Sequence, residues 1–425
     1  ESDMGSDLVK LFSAQRRAMR LGGFAVLGLC LIPGLPKLPF LLVGGTVLLL
    51  SARLSDPDEA APAEATAETV EPSRDDPESI VEEMRVDAIS LDVSYDMVDL
   101  VDPQAGGDLL NRVKALRRKL AMELGLVMPP VRTRDDVELP QSTYRIRLHG
   151  VEVARGQAPP GCVLAIGDGL QGLPGEPTQE PVFGLAARWV AEGLRHQAEL
   201  SGATVVDRAS VITTHLSEVV RGYAAQLLGR EDVRMLVEAV KRTHPVVVEE
   251  LTPALLTLGD VQKVLQSLLD ERAPIRDLVR IFEALSQRAR VSPDPEGMVE
   301  AARGALGPAL CVPHAVDGVL SVLTLAPMLE QSLLESVRAG DNGTLLVMEA
   351  GRLGALVTQT RLLVESAQET GRMPVLVCAP QVRPALRRIL RNELPSLPVI
   401  AYSELGGALQ IETIGTVDVA YTTAA

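Results

Sequence analysis

The apolar positions of this chain follow distinct rhythms, each predicting a different element. Between Leu21 and Ala52 there is no rhythm at all: 32 residues pass with one charge, Lys37. Hydrocarbon cannot hydrogen-bond a bare backbone, so such a run predicts membrane-inserted helix, and one span needs only about 20 residues. The segment Ile32-Pro33-Gly34-Leu35-Pro36-Lys37-Leu38-Pro39 cannot continue a helix. The pattern therefore predicts a transmembrane helical hairpin, two short spans that tilt or thin the bilayer. Arg16, Arg17 and Arg20 precede the run and Arg53 follows it, which puts both ends on the cytoplasmic side. A secretory signal would carry one apolar core of roughly 7–15 residues and a small-residue cleavage site, which this stretch lacks. A hairpin buried in a protein core is the alternative.

From Ser55 to Ser79 the chain turns to Asp, Glu, Ala, Pro and Thr, too few large apolar groups to offset ordering entropy. This predicts a flexible acidic linker, and about 25 such residues reach on the order of 25–30 Å as a coil. Alternation then predicts strands at Ala88–Val93, Tyr144–Leu148 and, after a His149-Gly150 turn, Val151–Val153. Helical spacing marks Leu109–Leu124, with a basic centre of Lys114, Arg117, Arg118 and Lys119. A Gly/Pro-rich loop is expected from Gly167 to Pro181 and a helix from Leu185 to Leu200. A short strand at Ala203–Val206 leads through Asp207, a fitting N-cap, into a long helix toward Leu228.

From Arg230 to Leu306 the spacing is helical throughout. Leu258, Val261, Val264, Leu265 and Leu268 mark one apolar face, and Ile275, Leu278, Phe282 and Leu285 the next. Short helices with tight breaks predict a small helical superhelix. Beyond Ala309, strands at Val319–Leu323, Val375–Val377, Val399–Tyr402 and near Leu409–Ile414 alternate with helices at Pro327–Val337, Leu353–Ser366 and Pro384–Leu394. That order is a β-α-β series with a small sheet. The expected fold class is a mixed α/β, multi-subdomain region following the transmembrane hairpin.

At 425 residues and 46% hydrophobic content the chain can build two or three cores. Its net charge of −15 argues against nucleic acid as a partner, since phosphate neutralisation needs a basic face. Cys30, Cys162, Cys311 and Cys378 are scattered singly, as expected of free thiols in a reducing cytoplasm without structural zinc. His149, His196, His215, His244 and His314 form no i, i+4 pair and no HExxH element. Gly167-Asp168-Gly169 and Gly172 match a phosphate-binding loop only loosely, there is no GxxxxGK[ST] or GxSxG, and Glu249 and Glu250 are adjacent on different helix faces. The residues offer no catalytic site, no metal site and no cofactor site. Opening on Glu1, the chain is expected to be the later part of a longer protein.

Three blocks together resemble the FHIPEP family of type III export gate proteins. They are the membrane exit Leu29–Leu54 with its proline turn; Glu180-Pro181-Val182-Phe183-Gly184-Leu185 with Trp189 and VVDRASVITTHL (Val205–Leu216); and VEELTPALLTLGDVQKVLQSLLDERAPIRDL (Val248–Leu278) running into IFEAL and SPDP. The resemblance implies a multi-pass inner (cell) membrane protein with a large cytoplasmic domain, whose FHIPEP element lies upstream. The implied division is 1–54 as the end of the membrane domain and 55–79 as the linker. It continues with 80–149 plus 203–228 as a first α/β subdomain, 150–202 as an inserted second one, 229–307 as the superhelix and 308–425 as a C-terminal α/β subdomain. It further implies a homo-nonameric ring in the flagellar export apparatus, without enzymatic activity. That ring receives export chaperones carrying filament or hook-associated proteins, and proton motive force drives passage.

The resemblance places chaperone–substrate docking at Glu180, Phe183 and Thr214, with Asp common in the family where this chain has Glu180. On that reading Phe183 anchors an apolar group of the partner, Glu180 orients a basic or polar group at the rim, and Thr214 adds a hydroxyl at the other wall. Trp189 and His215 are expected to be structural. The equivalent gate of a virulence injectisome and, from another class, a membrane-anchored α/β enzyme are the alternatives.

Overall fold

Strand β1 (Ile89–Val93) is buried at every position. It pairs in parallel with β2 (Val131–Asp135) and antiparallel with β3 (Thr143–Leu148), Leu91 standing opposite Ile146. His149 and Gly150, both at positive φ, close the two-residue turn from β3 into β4 (Val151–Gln157), the geometry that matches strand twist in a tight hairpin. Helix α1 (Leu109–Leu124) buries Leu109, Val113, Leu116, Leu120 and Leu124 in the same core and stops at Gly125, φ +78°. These coordinates are a computed structural model describing residue 84 and residues 86–419 apart from 168, 341, 342, 407 and 408. The expected membrane hairpin and acidic linker lie outside the described residues. Among the described residues no helix is long and apolar enough to cross a membrane.

A second sheet, in the order β6-β7-β5-β8, is antiparallel: β5 (Cys162–Ile166), β6 (Glu176–Gln179), β7 (Ala186–Ala191) and β8 (Thr204–Val206). Alternation divides its side chains between two faces. Leu164, Ala187 and Trp189 join the main core, whereas Val163, Ala165 and Val190 pack with Ala198 of α2 (Arg195–Leu200). Asp207 then accepts the Ser210 amide at 2.8 Å and caps α3 (Arg208–Gly222). Helix α4 (Ala224–Leu227) follows.

The helical stretch comprises α5 (Arg230–Thr243), α6 (Pro245–Leu251), α7 (Leu258–Asp270), α8 (Leu278–Ala289) and α9 (Pro295–Cys311). Val261, Val264, Leu265 and Leu268 of α7 and Ile281, Phe282 and Leu285 of α8 continue the core that begins at Ile89. The last sheet, β14-β13-β10-β15, is parallel, with β10 (Val319–Leu325), β13 (Val375–Cys378), β14 (Val399–Ala401) and β15 (Gln410–Val417), and β9 (Ala315–Val316) on its margin. Helices α10 (Pro327–Ser336), α11 (Ala350–Glu369) and α12 (Arg383–Glu393) make the crossovers. β13 is buried on both faces, Leu376 and Cys378 toward one cluster and Val375 and Val377 toward another, as a covered parallel strand requires.

Two expectations need correction. The stretch 185–200 is not one helix: β7 occupies Ala186–Ala191, and helix begins only at Arg195. Pairing with β5 and β6 and burial of Trp189 decide for strand there, since local preference is weak against tertiary pairing. The Gly/Pro-rich stretch 167–181 likewise contains β6. The hairpin of β11 (Val337–Gly340) and β12 (Gly343–Leu346) gave no periodic signal in the sequence.

Candidate docking cleft

The turn between β6 and β7 is built around one carboxylate. Pro181 has no amide hydrogen, and the next two amides, Val182 and Phe183, both donate to Glu180 Oε2 at 3.1 and 2.6 Å. Gly184 N donates to the Glu180 carbonyl at 3.0 Å, and Glu180 N to the Leu185 carbonyl at 2.9 Å. Gly184 sits at φ +67°, where a Cβ is disfavoured. Held this way, the turn leaves Phe183 72% exposed, with Leu185 also largely in solvent.

The facing wall consists of α1 and α3. Arg112, Ala115, Leu116 and Lys119 from the first, and Thr213, Thr214, Ser217 and Arg221 from the second, line a cavity of about 510 Å³ with Val182 and Phe183. Phe183 and Thr214 therefore share one cleft. Thr213 is occupied, donating to the Ala209 carbonyl at 2.6 Å, while the Thr214 side chain is exposed. Arg112 is held by Asp108 at 2.6 Å and Ser210 at 2.5 Å, and Arg221 grips Glu123 with two bonds of 2.6 and 2.7 Å. Lys119 is exposed and, among the described residues, in no ion pair within 4.0 Å. The cleft thus offers an aromatic face, a hydroxyl and an exposed cation outside any close ion pair among the described residues. That set suits a partner with an apolar anchor and an acidic or carbonyl group beside it.

Glu180 does not stand at the rim. It is 6% exposed, and its carboxylate faces inward to the turn amides; this corrects the rim role expected of it. Behind it, Tyr144 Oη lies 2.8 Å from His215 Nδ1, with the two rings edge to face at 5.7 Å. Burial pushes the Tyr144 phenol well above its ordinary pKa, reinforced by the charge of Glu180. Burial lowers His215, against the pull of Glu180. Trp189 and His215 are both buried. Sequence reasoning missed Lys119 as a cleft residue, although it noted the basic centre of α1. Arg117 of the same stretch serves the Met128 carbonyl instead; only packing tells the two apart.

A second cavity of about 580 Å³ shares Phe183 and Arg221 with the first and runs past Leu124, Leu310 and Pro313. A third, of about 660 Å³, is lined by α12 arginines, with carboxylates from the C-terminal end of α7 and from α9 paired to Arg383, Arg388 and Arg391, an ion-pair lattice and not an anion site.

The FHIPEP family model matches residues 1–410. The chain belongs to the FHIPEP family. The flagellar biosynthesis protein FlhA of Yersinia enterocolitica is 36% identical over 425 residues, 99% of this chain and 60% of its own. This chain spans about 60% of the length of the curated relatives it matches. Among solved structures, the Chlamydia pneumoniae CdsV protein superposes with a TM-score of 0.70 at 23% identity, covering 86% of this chain and all of that one. The nonameric EPEC SctV-C structure gives 0.64 at 21% identity, covering 78% and 98%. The FHIPEP chain thus shares the mixed α/β fold of those domains.

Proposed function

We propose that this chain is an export gate component of the flagellar type III protein export apparatus. Its region after the linker docks chaperone–substrate complexes and passes them to a proton-motive-force-driven membrane channel. The observation that carries the reading is Phe183, a large aromatic held in solvent by a braced turn over a cleft that contains Thr214. Phe183 and Leu185 expose apolar surface side by side at one end of the turn, and an aromatic anchor of this kind is what a docking contact uses. Phe183 and Thr214 contact the partner directly on this reading, while Glu180 shapes the turn. Catalysis has no part in it. The 21–52 run supports a multi-pass inner-membrane location with the described region on the cytoplasmic side, and the subdomain division given above is the working one. The nonameric state named for SctV-C supports a ring of the same kind here.

Identities of 36%, 35% and 35% to relatives named flagellar biosynthesis proteins favour the flagellar gate over an injectisome gate. The test is calorimetric titration of wild type and Phe183→Ala with the same cell's flagellar chaperone bound to its filament protein. Phe183→Ala should cost about 2 kcal/mol or more of binding, roughly 30-fold in affinity, and leave stability within about 0.5 kcal/mol. Equal affinities would sink the site assignment, and no binding by a folded wild type would turn the choice toward the injectisome gate.

A further inference from the structure

The most coherent buried polar cluster not yet given a role lies directly beneath the Phe183 turn. Its three members come from three elements: Tyr144 from β3, His215 from α3, one residue beyond Thr214, and Glu180 from the β6–β7 turn. All three are buried, and a 2.8 Å bond joins the first two. The charge of the third acts on both rings. Tyr144 is fixed from behind as well, because Gly156, its partner in β4, lies against the phenol so closely that any Cβ there would collide with it. Glu180 has no ion pair among the described residues, so its buried carboxylate rests on the two turn amides.

We propose that Tyr144 and His215 are positioning residues of the docking cleft. By fixing the environment of the Glu180 carboxylate, they hold the 180–185 turn in the one geometry that presents Phe183 opposite Thr214. The phenol, kept protonated, donates to Nδ1 and leaves a neutral imidazole with its proton on Nε2. A neutral ring does not compete for the carboxylate, which stays on the Val182 and Phe183 amides. A protonated ring would draw it away, since an opposite charge at close range outweighs a neutral amide. The other charged side chains of α3, and Arg112 against it, are already engaged: Arg208 with Asp99 and the Ala158 carbonyl, Arg221 with Glu123, Glu218 with Arg272, and Arg112 with Asp108 and Asp207. His215 is therefore the group whose charge can change at this joint. Its imidazole sits below its ordinary value of 6.5, so the held turn is favoured above that pH and is lost as pH falls through the lowered value. The inference rests on the docking reading for its purpose, though not for its geometry.

Amide hydrogen exchange on the full 425-residue chain in detergent reads the turn without any partner. Tyr144→Phe should cut protection of the 182–184 amides about fivefold, the equivalent of one hydrogen bond, and leave α7 and α9 unchanged. Gly156→Ala, which displaces the phenol from behind, should do the same. His215→Gln, which keeps a donor and an acceptor, should restore protection relative to His215→Leu. Corrected for intrinsic rates, wild-type exchange in the turn should rise between pH 7.5 and 5.5, and His215→Gln should be flat. Unchanged protection of the turn in Tyr144→Phe and Gly156→Ala overturns the inference whatever a partner does, and so does a loss spread evenly over the molecule. Titration with the chaperone–filament-protein complex separates the two readings. Affinity lost in Phe183→Ala but kept in Tyr144→Phe overturns the positioning role. A loosened turn with affinity indifferent to Phe183→Ala overturns the docking reading instead.

Discussion

Arg383 is 1% exposed at the start of α12, and its guanidinium joins three parts of the molecule. Nε donates to Glu300 of α9 at 2.7 Å and Nη2 to the same carboxylate, while Nη1 and Nη2 reach Glu271 at 2.6 and 3.1 Å. Arg303 of α9 binds Glu271 at 2.9 Å and continues to Glu404 at 2.9 and 2.8 Å. Two buried cations thus serve three carboxylates. In Arg383→Ala, four charge-assisted bonds at about 1.5–3 kcal/mol each set a ceiling of about 6–12 kcal/mol. Desolvation of the guanidinium disappears with it, leaving a net cost of about 3–5 kcal/mol, typical of a buried pair broken from one side. That is a large part of the roughly 5–15 kcal/mol that holds a domain folded.

The pH dependence sharpens this test. Burial raises the Glu271 carboxyl, but Arg383 and Arg303 more than reverse it and hold it below the usual range. Its contribution is complete above its unfolded value, about 4.5, and is lost only as pH falls through the lower folded one. Burial keeps Glu300 raised, so its contribution is present at low pH and fades as pH rises. Without Arg383 both carboxyls move upward, and protonation then favours the folded state. Urea unfolding of residues 86–425, which form one compact unit, followed by circular dichroism, should show a gap to wild type that narrows from pH 7.5 to 5.5. A gap below about 1 kcal/mol, or one independent of pH, would refute the assignment of these ion pairs as a buried joint.

Three further outcomes are expected. Lys119→Glu should slow partner association about tenfold at low salt and much less at high salt, because an exposed cation steers more than it anchors; stopped-flow rates indifferent to the change would remove Lys119 from the cleft's chemistry. Gly184→Val should loosen the turn at φ +67° by about 1–2 kcal/mol, seen as faster exchange of the 182–184 amides with global stability nearly kept. Phe282→Ala, in a fully buried position, should lower unfolding free energy by about 3–5 kcal/mol, and a loss under 1 kcal/mol would mean that α8 is loosely packed.

Much of the architecture could be read along the chain because its causes are local. Helix α1 lies over Leu109–Leu124, where the apolar spacing put it, and Asp207 caps α3 as its type and position suggested. Helices α7 and α8 bury the faces marked by Val264 and Phe282, and β13 occupies its short apolar run. The Phe183 block was visible through family resemblance, since an aromatic between proline and glycine has no periodic signature. What lay beyond sequence reasoning depends on partners far apart in the chain. Whether Ala186–Ala191 is strand or helix turns on the edges offered by β5 and β6. Glu180 faces inward because the amides that follow Pro181 need an acceptor, and Tyr144 and His215 meet across 71 positions of sequence. Of two basic residues two places apart on α1, packing sends Arg117 to a backbone carbonyl and leaves Lys119 facing the cleft. Periodicity records which face of an element is apolar; it carries no information about which distant polar group completes a buried one.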